Sequence, residues 1–161
     1  MKTNPAGPWS LKLRAYHQSS HLGDEFLLRF SPERVNLSYE AVSALLSWEG
    51  EFWRFYGGGE YLLRKEPSDI DPVGLQWGIE LRGPRTLPVG GRFLAGLDCK
   101  SRQENHWNLS VSLKAGFEFD PGAPGGRSLR LLGLVYEGYS PHGQYYMDRI
   151  AFYGVSLAFG F

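Results

Sequence analysis

The stretch HWNLSVSLKAGFEFD, residues 106–120, alternates in type without a break. Trp107, Leu109, Val111, Leu113, Ala115, Phe117 and Phe119 fall on one side, and Asn108, Ser110, Ser112, Lys114, Gly116 and Glu118 on the other. Successive side chains of a strand point to opposite faces, so a period of two over this length specifies a strand with one apolar and one polar face. DPVGLQWGIELRG repeats the pattern, with Val73, Leu75, Trp77, Ile79 and Leu81 against Gly74, Gln76, Gly78, Glu80 and Arg82. RFLAGLDCK sets Phe93, Ala95, Leu97 and Cys99 opposite Arg92, Gly96, Asp98 and Lys100.

Comparable segments run over about 9–19, 33–47, 51–65, 128–138 and 147–161, which makes about eight strands. EAVSALLSW has some helical character, but it continues the alternation of Val35, Leu37 and Tyr39 and is read as strand. That alternation places Asn36 with Arg34, Ser38 and Glu40 on the polar face. Segment 128–138 is the least regular, and a bulge is expected there. The gaps EPSDIDP, GPRTLPVGG and DPGAPGGRS are turn-rich, and no composition shift, repeat or low-complexity tract divides the chain. Residues 1–161 therefore read as one all-β domain.

Eight sequential antiparallel strands close most simply into an up-and-down barrel, which has no free edge. A soluble lipocalin-like ligand-binding barrel would turn the apolar face inward, and a transmembrane barrel would turn it outward. Four features favour the membrane. The polar face mixes Lys, Arg, Glu, Asp and many of the 21 glycines, a set suited to a narrow lumen. The apolar face is nearly free of charge over stretches close to the roughly 9–11 residues that a tilted strand needs to cross a bilayer. Aromatics such as Trp9, Trp53, Trp77, Trp107, Phe119 and Tyr153 stand near strand ends, where interfacial girdles form. The chain finally ends FYGVSLAFGF, alternating to a terminal Phe161. This resembles the signal by which the bacterial assembly machinery recognises outer-membrane barrels, and implies that machinery as a partner.

Other classes are disfavoured. Lys+Arg and Asp+Glu both number 17, so no net charge calls for nucleic acid. A single cysteine, Cys99, allows no intrachain disulfide and no Cys-based metal site. The opening MKTNPAGPWS lacks the apolar core of a secretory signal, so the expectation is an outer-membrane chain lacking its native N-terminal portion.

With both termini periplasmic, the external loops are 20–33, 66–72, 102–106 and 139–148, and all four histidines lie at the outer rim. His17 and Ser19 share a face with Leu11, Leu13 and Ala15, so both are expected to face lipid near the outer leaflet. Two strand positions apart is about 7 Å, and side-chain lean brings an imidazole within reach of a hydroxyl proton. A polar pair facing lipid costs free energy, which invites a functional reading.

YHQSS, residues 16–20, resembles the His-Gln-Ser segment of the outer-membrane phospholipase A family. The resemblance implies Ser19 as nucleophile, His17 as base and Asn36 as the group that orients the imidazole. It also implies outer-membrane lipids as substrate, calcium as cofactor and a homodimer as the active form. Asp24 or Glu25 are the candidate calcium ligands, with Asp69 and Asp71 of EPSDIDP as further candidates. Asn36 departs from the pattern, since alternation turns it to the lumen.

A broader resemblance covers nearly the whole chain. HQSSHLGDEF, RVNLSYEAV, YGGGEYLLRKEPSDIDP, SRQENHWN and YSPHGQYY resemble an uncharacterised bacterial family catalogued as domain of unknown function twelve-oh-seven. Its members are predicted exported proteins of greater length with no assigned activity, which implies that this chain corresponds to their C-terminal part and leaves open whether its eight strands close alone or belong to a larger barrel. The functional expectation is thus a structural, adhesive or small-pore outer-membrane barrel, with a lipid-acting serine hydrolase as the alternative.

Overall fold

A computed structural model describes residues 7–20, 28–30, 36–119 and 127–160. Eight strands form one antiparallel sheet in sequence order: β1 (Trp9–Ser19), β2 (Ser38–Glu49), β3 (Trp53–Glu66), β4 (Val73–Arg82), β5 (Gly91–Arg102), β6 (Leu109–Phe119), β7 (Ser128–Tyr139) and β8 (Arg149–Gly160). This is the up-and-down all-β architecture that the alternation specifies. The connections 20–37, 67–72, 103–108 and 140–148 leave from one end of the sheet, the loop end, and the others from the opposite, turn end.

The two faces are inverted relative to a water-soluble domain. On one face the row Tyr56, Gly78, Asp98, Ser112, Tyr136 and Phe152 runs across adjacent strands, and the rows beside it carry the charged residues. Those side chains bond to one another. Tyr16 donates to Glu60, which also accepts from Arg102 at 2.7 Å. Arg54 pairs with Glu80 at 3.1 Å. Glu118 is gripped by Arg92 and by Arg130 at 2.8 Å, and at 1% exposure it is the largest fully buried side chain among the described residues. The opposite face carries Leu11, Leu13, Leu75, Leu113, Val135 and Leu157, all exposed. Tyr153 and Val155 reach 89% and 78% exposure. The charged face is hereafter the inner face and the apolar face the outer one. A lipocalin-like barrel requires the reverse orientation.

Inner-face glycines make room for this lattice. A Cβ at Gly78 would stand 2.3 Å from the Tyr56 hydroxyl, because that ring lies across Gly78 to donate to Asp98 at 2.6 Å. Gly58 is tighter, with a Cβ 1.9 Å from the Ala44 carbonyl oxygen. The glycine run 57–59 thus serves close approach within β3 rather than any phosphate loop.

The sheet curves until the connection between its last two strands touches the end of the first, where the Gln144 N–H donates to Ser20 Oγ at 3.2 Å. Strands β1 and β8 form its two edges.

Two sequence expectations need correction. The irregularity expected in 128–138 lies elsewhere: β7 pairs with both neighbours in continuous register, while β2 and β3 shift between Glu40 and Ala41, leaving Leu63 as the extra residue. The faces of β2 are also reversed. Ser38 and Glu40 pair with Ser19 and His17 and so share their outer face, while Ala41 pairs with Tyr16 on the inner one. The cause is local: Ala41 and Leu45 put apolar groups inside, and Val42, Ala44, Leu46 and Trp48 put them outside, so alternation in β2 carries little information.

Removing one member of a buried ion cluster leaves its partners uncompensated. Glu118→Gln is expected to destabilise the refolded protein by up to about 3 kcal/mol, measured by denaturant unfolding in detergent micelles. The partial exposure of Arg130 keeps the loss at the low end of that class.

Candidate functional site

The loop end holds two groupings, one on each face. On the outer face, register aligns His17 with Glu40 and Arg64, and Ser19 with Ser38 and Glu66. His17, Ser38, Glu40, Arg64 and Glu66 line a shallow groove. Arg64 Nε stands 3.9 Å from Glu40 Oε2, and both side chains are open to solvent, a pair worth at most about 1 kcal/mol. A matching pair, Arg149 and Glu137 at 3.5 Å, sits at the same end of β7 and β8. These polar groups mark where the apolar outer face stops.

The proposed catalytic set is only partly assembled. His17 and Ser19 do share the outer face. Asn36 is exposed and lies two residues before β2, so it belongs to the loop and not to a strand neighbouring His17. Among the described residues no hydrogen bond joins His17, Ser19 and Asn36. The residue across from His17 is Glu40, an acid that sequence alternation hid by assigning it to the lumen. The calcium candidates Asp24 and Glu25, like His21, lie outside the described residues. Asp69 and Asp71 are placed in the 67–72 connection, where the Asp71 N–H donates to Glu104 at 2.6 Å. Among the described residues no group of His, Cys, Asp and Glu is arranged to hold a metal ion.

On the inner face the loop end is filled. Leu37, Ala41, Leu62 and Ile70 form a buried apolar cluster, with Tyr16, Tyr39 and Tyr146 packed against it. The bulge at Leu63 lets Leu62 turn inward while Arg64 stays outside. Lys65 Nζ donates to the Ile70 carbonyl, fixing the 67–72 connection over the mouth. Tyr146 arrives from the connection before β8, so the chain crosses the opening to reach β2 and β3. Burial, and then the carboxylates of Glu104 and Asp69, push its hydroxyl above the usual phenol range, and it stays neutral. Sequence reading missed this cluster because its members come from β1, β2, β3 and three loops, and each looks like an ordinary strand or turn residue.

The geometry defines a class: an antiparallel up-and-down sheet with an exposed apolar face and a paired, charged interior stoppered at its loop end. The chain belongs to the family described as protein of unknown function (DUF1207), whose model matches residues 2–161. No curated protein and no solved structure matches it.

Ile70 is 4% exposed in the stopper, so Ile70→Ala is expected to cost about 2–3 kcal/mol through lost burial and the cavity left behind. Asn36→Ala should change unfolding in detergent by no more than about 0.5 kcal/mol. An equal loss in both variants would remove the distinction between stopper and loop.

Proposed function

We propose that the chain is a membrane-spanning β-barrel protein of the bacterial outer membrane with a non-enzymatic role at the cell surface. The observation that carries this reading is the inversion of the two faces. An exposed apolar sheet face running around eight strands has no use in water, where patches beyond a few hundred Å² are rare. In lipid it supplies the contact surface, while strand pairing satisfies the backbone between the two edge strands, β1 and β8. The outer face of β6 is apolar from Leu109 to Phe119, 11 residues, which matches the strand length for a bilayer crossing.

Aromatic residues support the same reading at the turn end. Trp9 pairs with Trp48, Trp48 packs on Phe55 with ring centroids 6.0 Å apart, and Phe93 meets Phe117 edge to face at 6.1 Å. Such a row fits the headgroup level of a bilayer. The polar groups around His17, Glu40 and Arg64 fit the opposite boundary. Outer-membrane lipids are then the surrounding partner, and the barrel-assembly machinery is the partner in insertion.

A second reading rests on Glu40. With Ser19, His17 and Glu40 on one lipid-directed face, an outer-leaflet hydrolase would use Glu40 in the orienting role assigned to Asn36. The separate groups have yet to converge, and this reading stands behind the first.

Refolded protein is expected to require detergent for extraction from vesicles and to migrate faster on gels before heating than after. A monomer that stays soluble without detergent would contradict the proposal. In a fatty-acid release assay with phospholipid and calcium, the non-enzymatic reading predicts no turnover by the parent. Release that is lost in both Ser19→Ala and Glu40→Gln would establish the hydrolase instead.

A further inference from the structure

The inner face divides into a paired part and an unpaired part. Glu60, Glu80 and Glu118 are each held by arginine, and Asp98 accepts from Tyr56 and Gln76, each at 2.6 Å. Lys12, Lys100 and Lys114 are different. All three are exposed, and among the described residues none has a carboxylate within ion-pair distance. Arg14 is likewise exposed and lies over the Tyr16 ring at 4.7 Å.

Register places Lys114 near the middle of β6, Lys12 toward the turn end of β1 and Lys100 toward the loop end of β5. Lys12 and Lys100 fall in one row, Lys12–Leu45–Gly58–Gln76–Lys100, and Lys114 lies in the row of Gly96, Glu80 and Arg54. The neighbours Gly58 and Gly96 carry no side chain and so bring no counter-charge to these rows. The interior is therefore a cationic space with charge to spare, ending at the apolar stopper of Leu37, Ala41, Leu62 and Ile70 with Tyr146.

We propose that this interior is an anion-selective passage kept shut by the connection between β7 and β8, with Tyr146 as its stopper. The inference rests on the membrane-barrel reading. Uncompensated lysines raise the local concentration of small anions and repel cations. An uncharged phenol packed on aliphatic side chains supplies no path for a hydrated ion. Among the described residues the connection meets the rest of the sheet through the Tyr146 contacts and the Gln144 N–H to Ser20 Oγ bond. It is thus the element whose removal opens the mouth with least damage to the strands. The ligand class is a small inorganic anion such as chloride or phosphate.

The test uses the refolded chain in planar bilayers under a potassium chloride gradient. Two variants open the stopper: Tyr146→Ala, and replacement of residues 141–147 by a Gly-Ser linker of equal length, which leaves all eight strands intact. Heat-modifiable migration is measured on every sample, so a failure to form a membrane barrel is read separately from a failure to conduct. The parent is expected to show no steady conductance. Both variants should show discrete steps with a reversal potential on the chloride side, and adding Lys12→Glu and Lys114→Glu should move it to the potassium side. Folded variants that stay silent, or that conduct with potassium preference before the lysines are changed, would overturn the proposal.

Discussion

Pairing of charges across the inner face is the interaction on which the rest of the structure depends. A carboxylate such as Glu118 tolerates near-complete burial only because two guanidiniums meet it. Glu60 with Arg102 and Tyr16, and Glu80 with Arg54, repeat the solution along the sheet. Once the polar side chains satisfy one another inside, nothing polar is required on the other face, and leucine, valine and aromatic residues can occupy it throughout. Binding small glycines between large residues is part of the same arrangement, since the Tyr56 ring reaches Asp98 only across a residue without a side chain.

Polar residues on the outer face occur where that logic ends. His17, Glu40 and Arg64 align on three neighbouring strands just beyond the apolar belt, and Glu137 with Arg149 does the same on β7 and β8. A histidine and a serine two apart draw attention as a catalytic pair when seen alone. Within the sheet they belong to a boundary at which β1, β2, β3, β7 and β8 change from apolar to polar. That placement explains them without chemistry, and it leaves Glu40 as the residue by which a catalytic role would be recognised.

Much of the fold was legible in the sequence, because a period of two is a direct imprint of strand geometry. Five of the strands, those around Leu13, Trp77, Leu97, Leu113 and Val155, carry strong enough contrast between faces to be read outright. Strand β2 does not, since Ala41 and Leu45 face inward while Val42 and Leu46 face outward, and its reversed assignment misplaced Glu40 and Asn36. The bulge at Leu63 was hidden for a related reason: a leucine followed by Arg64 looks like normal alternation until pairing with Glu40 and Ala41 is known. The stopper was invisible because Leu37 is separated from Leu62 and Ile70 by β2, and Tyr146 from all three by four further strands, and only folding brings them together.

The central claim is that the exposed apolar face contacts lipid and the charged face does not. Spin labels on single cysteines in a Cys99→Ala background test it directly, placed in turn at Leu113 and Val155 on the outer face and at Ser112 and Ser156 on the inner one. In bilayer vesicles the account predicts that the first two are quenched by oxygen dissolved in lipid and shielded from a water-soluble nickel chelate. The second two should be shielded from oxygen relative to them. Equal access of all four labels to the nickel chelate, or the reverse pattern, would contradict it.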